Sequence, residues 1–143
     1  MSSSITIAID AMGSDKGPDE IISGTALSKE RHPGTKYIFF GDSRLIKNAL
    51  RKHSFLYQCS EIVSTDAVVS PYDKPSQVLR NSKNTSMGSS IDWLKQKKVD
   101  ALVSAGNTGA LMALSKFKLR TMSGISRPAI ATTLPHSSGE FVM

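Results

Sequence analysis

The sequence predicts an α/β sandwich, a largely parallel sheet with helices on both faces. Two observations carry that prediction. Short apolar runs of strand length alternate with stretches of helical spacing, the order that a parallel sheet requires. Glycine-bearing loops follow two of those runs, at the place where such sheets bind ligands.

Each element has its own signal. Ile5-Thr6-Ile7-Ala8-Ile9 is β-branched and apolar, and reads as a buried strand. Asp10 to Gly17 follows as a loop with two glycines and two aspartates. Pro18-Asp19-Glu20 suits a first helical turn, because proline needs no N–H there and acidic side chains meet the positive end of the helix dipole. Ile21, Ile22, Ala26 and Leu27 give that helix an apolar face, and Pro33-Gly34 stops it. Tyr37 to Phe40 is the second strand, and Gly41-Asp42-Ser43 a turn with a capping residue. Leu45, Ile46, Ala49 and Leu50 have helical spacing. Ser60 to Ser64 is a weaker strand, followed by a polar loop from Thr65 to Lys74. A helix begins near Ser86 and carries Met87, Ile91 and Leu94. Ala101 to Ser104 is a strand, Ala105 to Gly109 its loop, and Ala110 to Leu114 the start of a helix. Pro128 to Thr132 reads as a final strand, and His136 to Met143 has no evident packing role. No repeat, low-complexity tract or linker interrupts the pattern.

Composition narrows the function classes. The chain has 143 residues, 39% of them hydrophobic, which suits one compact domain. It has no apolar stretch of spanning length and no secretory signal pattern, so cytoplasmic residence is expected. Cys59 is the single cysteine and excludes an internal disulfide. His32, His53 and His136 lack metal-ligand spacing. No metal and no cofactor is expected. The net charge is +6, and the excess is concentrated between Lys74 and Arg127, where only Asp92 and Asp100 oppose ten basic residues. Such a field draws anions: phosphate, an acidic protein, an anionic bilayer or nucleic acid. It is equally the charge of an ordinary solvated surface. Nucleic acid is disfavoured, because no aromatics interleave with the basic residues as a single-strand binder requires.

Three loops are candidate anion sites. Gly106-Asn107-Thr108-Gly109 lies between a strand and a helix of small residues. Glycines allow close backbone approach, and the helix start offers free N–H groups. A tight turn with a helix cap explains the glycines equally well. Asp10 to Gly17 is the second loop; its aspartates either cap the next helix or orient a donor such as Lys16. Lys83-Asn84-Thr85-Ser86-Met87 is the third, readable as an anion site or as a solvated lysine beside an N-cap.

Taken together, several segments resemble the phosphate acyltransferases of fatty acid and phospholipid synthesis. Asp10-Ala11-Met12-Gly13-Ser14-Asp15 is similar to that family's opening motif, with Ser14 where glycine is usual and Lys16 where histidine is common. Gly41-Asp42, Leu79-Arg80 and Lys83 to Met87 match in order. So do Val103 to Met112, Arg127-Pro128-Ala129 and Leu134-Pro135.

The resemblance implies a fold like that of isocitrate and isopropylmalate dehydrogenases. Residues 1–143 would be the N-terminal part of a single domain whose remainder lies outside this chain. It implies transfer of a fatty acyl group from acyl carrier protein to inorganic phosphate. It also implies a homodimer in the full-length family, and a cytoplasmic protein with peripheral association at the inner membrane face. On that reading Lys83 and Asn107 are the catalytic candidates. Asp10, Gly13, Asp15, Ser86, Ser104, Gly106, Thr108, Gly109 and Arg127 are candidates for substrate binding. The basic stretch would meet acidic acyl carrier protein. A short-chain phosphate acetyl- or butyryltransferase using coenzyme A, and a truncated non-catalytic anion-binding remnant, are the alternatives.

Overall fold

A computed structural model describes residues 4–137 and 139–143, with the side chains of His136 and Phe141 outside the description. Four parallel strands form the body: β1 (Thr6–Asp10), β2 (Lys36–Gly41), β3 (Ser60–Ser64) and β4 (Ala101–Ser104). Their order is β3-β2-β1-β4, so the chain crosses back over the sheet to place β4 beside β1. Asp10 pairs with Ser104 across that seam. Two loops far apart in sequence therefore leave the sheet side by side.

The strands alternate between two cores, as the pleat requires. Ile9, Tyr37 and Phe39 face one side, where Ile22 of α1 (Pro18–Arg31), Ile46 and Leu50 of α2 (Ser43–Leu50) and Leu56 of α3 (Ser54–Gln58) cover them. Ala8, Ile38 and Phe40 face the other side. There Trp93 and Leu94 of α5 (Ser86–Lys95) pack on them, and the Trp93 ring meets Phe40 edge-on at 5.3 Å. A further cluster joins α4 (Pro75–Asn81), α5 and α6 (Thr108–Leu119) through Val78, Met87, Ile91, Ala110 and Leu114. Sheet and flanking helices make the expected α/β sandwich.

Local chemistry sets the helix ends. Pro18 occupies the first turn of α1, and Lys29 near its end donates from Nζ to the carbonyls of Pro33 and Thr35. Asp42 caps α2 by accepting from the N–H groups of Arg44 and Leu45 at 2.8 and 3.1 Å. Thr85 caps α5 by accepting from the N–H of Gly88 at 3.0 Å.

The last segment departs from expectation. Residues 128–132 form no strand. Pro128 lacks a donor for a ladder, and Ala129, Ile130 and Ala131 are exposed without a partner edge. The strand starts later, as β5 (Thr133–His136), and pairs antiparallel with β6 (Gly139–Val142). The tail expected to lack a packing role thus forms a hairpin of its own. Residues 75–81, to which the sequence assigns no element, form α4, and α3 is likewise an addition.

Candidate functional site

The site is built where β1 and β4 end. Asp10 is 1% exposed. Its Oδ2 accepts a hydrogen bond from Ser104 Oγ at 2.7 Å, and its Oδ1 accepts from the Met12 N–H at 3.3 Å. Ser104 Oγ in turn accepts from the Gly106 N–H at 3.2 Å. A carboxyl, a hydroxyl and a backbone amide thus run in a chain from one loop to the other.

The loops meet at their glycines. A Cβ at Gly13 would stand 2.8 Å from the Gly106 nitrogen and 3.0 Å from its Cα, both backbone atoms that cannot swing away. Only glycine lets the two main chains approach this closely.

Asn107 is held at both ends of its amide. Oδ1 accepts from the Ala110 N–H at 3.0 Å and caps α6. Nδ2 shares its hydrogens among the carbonyls of Ser70, Pro71 and Asp73 at 3.0 to 3.2 Å. This fastens the 65–74 loop to the start of α6. In α6 the N–H of Leu111 bonds the Asn107 carbonyl, while among the described residues none accepts from the N–H of Thr108 or Gly109. Two free donors therefore remain at the positive end of a helix dipole.

A crevice of about 390 Å³ lies beside these groups. Met12, Gly13, Ser14 and Asp15 form one wall, and Val68, Val69, Ser70 and Pro71 the other. Gly106 touches the first wall and Asn107 the second. A neighbouring cavity of about 400 Å³ lies between residues 67–73 and α4. It borders none of the glycine loops, so the crevice is the better candidate.

Six predicted residues converge here, Asp10, Gly13, Asp15, Ser104, Gly106 and Asn107, and Thr108 and Gly109 follow Asn107 at the start of α6. Lys83 stands exposed on the turn before α5 and engages neither glycine loop. Ser86 is buried at the start of α5, and its hydroxyl has no partner among the described residues. Arg127 lines a separate groove with Gly109. Sequence reasoning missed the second wall. Its signal was slight: Pro71 and Asp73 in a polar loop, and an asparagine elsewhere that needed acceptors.

Charge is less uniform than the sequence suggests. Lys118 is used in packing, donating to the Gly88 carbonyl at 3.0 Å and to Asp92 Oδ2 at 2.8 Å, and Lys98 lies 4.9 Å over the Trp93 ring. Lys16 pairs with Glu20 at 2.9 Å. Its hydrogen bond, and then its charge, hold the Glu20 carboxyl below its usual range and raise the Lys16 ammonium above its own. Among the described residues no cluster of three or more His, Cys, Asp or Glu could hold a metal, and no helix is long and apolar enough to cross a membrane.

Known proteins similar to this chain are phosphate acyltransferases. A phosphate acyltransferase of Xanthobacter autotrophicus is 49% identical over 144 residues, covering 100% of this chain and 40% of the relative. One from Rhodopseudomonas palustris is 49% identical, covering 97% of this chain and 40% of the relative. One from Bradyrhizobium diazoefficiens is 50% identical, covering 100% and 41%. The chain thus spans about two-fifths of the length of these relatives. The family described as "Fatty acid synthesis protein" matches residues 5–143, and the chain belongs to that family.

Proposed function

We propose that the chain carries the phosphate-binding part of an acyltransferase that moves a fatty acyl group from acyl carrier protein to inorganic phosphate. The product is an acyl phosphate for phospholipid synthesis. The observation that carries this reading is the seam at Asp10, Ser104 and Gly106, which brings two glycine loops together beside a crevice.

In the reaction a phosphate oxygen attacks the thioester carbonyl carbon. The new C–O bond replaces the C–S bond, and the thiolate leaves with the carrier protein and takes up a proton. Phosphate is already a nucleophile, so the protein's task is to hold and orient it. The free N–H groups of Thr108 and Gly109 are suited to its charge. Asn107 acts by positioning, since its amide is committed to the 65–74 loop and to the helix cap. Asp10 and Ser104 hold the loops at their spacing. Lys83 adds positive charge near the start of α5. The acidic carrier protein would meet the basic surface between Lys74 and Arg127. Residues 1–143 would be the N-terminal part of a larger single domain, which works as a homodimer and associates with the inner membrane face.

The first test is a thermal melt of this chain with and without millimolar phosphate. A cooperative transition that rises with phosphate is expected, because a ligand stabilises the state it binds. A transition indifferent to phosphate removes the anion site. Turnover with acyl carrier protein thioesters against coenzyme A thioesters, in a full-length relative, then decides the donor. Lys83→Ala in that relative should raise the KM for phosphate without changing Tm; an unchanged KM removes Lys83 from the site.

A further inference from the structure

A second concavity begins where the candidate site ends. It is an open groove of about 330 Å³ along one face of α6, lined by Gly109, Met112, Ala113, Lys116, Arg127 and Pro128. The four helical positions fall at i, i+3, i+4 and i+7, so they form a single stripe. Met112, Ala113 and Pro128 supply an apolar floor. Lys116 and Arg127 can lay their methylene stems along it and keep their charged ends at the rim. Both are exposed, and among the described residues no ion pair engages either. No acidic residue lines the groove.

An apolar floor under a cationic rim selects one kind of occupant: an apolar chain with an anionic end. One end of the groove is Gly109, whose N–H is among the free donors of the candidate site. An anion seated at the start of α6 would therefore have its attached chain directed along the stripe toward Met112, Ala113 and Lys116. We propose that this groove is the acyl-chain subsite, holding the fatty acyl group with its anionic head at the start of α6. The proposal rests on the acyl-transfer reading above and adds where the chain lies. Met112 suits the role, since its unbranched thioether adapts to chains of different length.

The test uses decyl phosphate, below its micellar concentration, as a stable mimic of an acyl phosphate, with inorganic phosphate alongside. Calorimetry on the 143-residue chain should show decyl phosphate binding at least ~10-fold tighter than inorganic phosphate, since each methylene buried adds to affinity. Ala113→Trp fills the groove and should remove that advantage while leaving the response to inorganic phosphate intact. Lys116→Glu, an exposed change that the fold tolerates, should weaken decyl phosphate several-fold and confirms the result should the tryptophan variant fail to fold. If inorganic phosphate binds but decyl phosphate binds no tighter, or if both variants keep the full advantage, the subsite is overturned and the phosphate reading stands. If decyl phosphate binds in the groove while inorganic phosphate does not bind, the subsite stands and the phosphate reading falls. If neither binds, both fall.

Discussion

The two glycine loops differ in how they are held. The β4–α6 loop is fixed along its length. Ser104 bonds Asp10, Gly106 bonds Ser104, and Asn107 joins three carbonyls and caps a helix. The β1–α1 loop is fixed only at its inner end, where Asp10 is buried and the Ala11 N–H donates to the Phe40 carbonyl at 3.0 Å. Its outer end depends on exposed groups. The Gly17 N–H donates to the Ser14 carbonyl, Ser14 Oγ reaches Glu20 at 3.4 Å, and Lys16 pairs with Glu20. One side of the seam is thus preorganised. The other has a rigid root and a tip whose opening costs little, because few buried contacts oppose it.

Asn107→Ala should break this contrast most severely. It removes a helix cap, at about 1 kcal/mol. It also strips three carbonyls of a shared donor, each bond contributing roughly 0.5–1.5 kcal/mol, less where water replaces the amide. A loss of about 3 kcal/mol in chemical denaturation is expected. The 65–74 loop should gain amide exchange at the same time, and turnover of a full-length relative should fall more than tenfold. A loss below about 1 kcal/mol with unchanged exchange near Ser70 would mean that the loop is held by other means.

Alanine at the two touching glycines sharpens the comparison. At Gly13 the new methyl meets backbone of the fixed loop at 2.8 Å, so a main chain must move; overpacking of this kind costs about 2 kcal/mol. At Gly106 the nearest atom is the flexible end of Met87 at 3.1 Å, with the Gly13 backbone and Ser104 Oγ at 3.3 Å, so the cost should be smaller, about 1 kcal/mol. Gly13→Ala should also abolish the rise in Tm that the proposed phosphate site predicts, by parting the loops. Equal losses for the two variants in paired melts would show that both loops yield alike.

Much of this architecture is legible in the sequence, and the parts that are not share a cause. The four parallel strands show as β-branched or aromatic runs because they are buried by local composition. The helices α1, α2, α5 and α6 show because their spacing and starting residues are local signals. Residues 128–132 look like a strand for the same reason, but a strand also needs a partner edge, and that depends on distant chain. The helix α4 is hidden because seven residues with Val78 as their buried apolar member carry no usable period. In the site, Gly13 and Gly106 are each readable as loop glycines. That they touch follows from β4 returning to lie beside β1, which no local pattern encodes. The wall from Val68 to Pro71 is invisible for the same reason. Its place is set by distant partners: the Asn107 amide 34 to 37 residues away, backbone bonds joining Ala67 to Asn84 and Ser86, and the burial of Val69.

The smallest effect belongs to the tip of the first loop. Lys16→Ala leaves Glu20 without its hydrogen-bonded cation, so the Glu20 carboxyl should titrate closer to its usual range, as NMR of the side chain would record. The signs follow from the two shifts. Glu20 is depressed when folded, so its share of stability is complete above the ordinary value of 4.5 and is lost as pH falls through the lower folded value. Lys16 is raised, so its share is complete below 10.5 and is lost as pH rises through the higher folded value. Between those limits the pair is fully formed, yet both groups are exposed and screened, and the melting temperature near neutral pH should scarcely move. The informative readout is phosphate. If the tip is a hinge that closes on the anion, freeing it alters phosphate affinity while Tm stays constant. If affinity also stays constant, the tip is a solvated turn, and the wall of the site ends at Gly13.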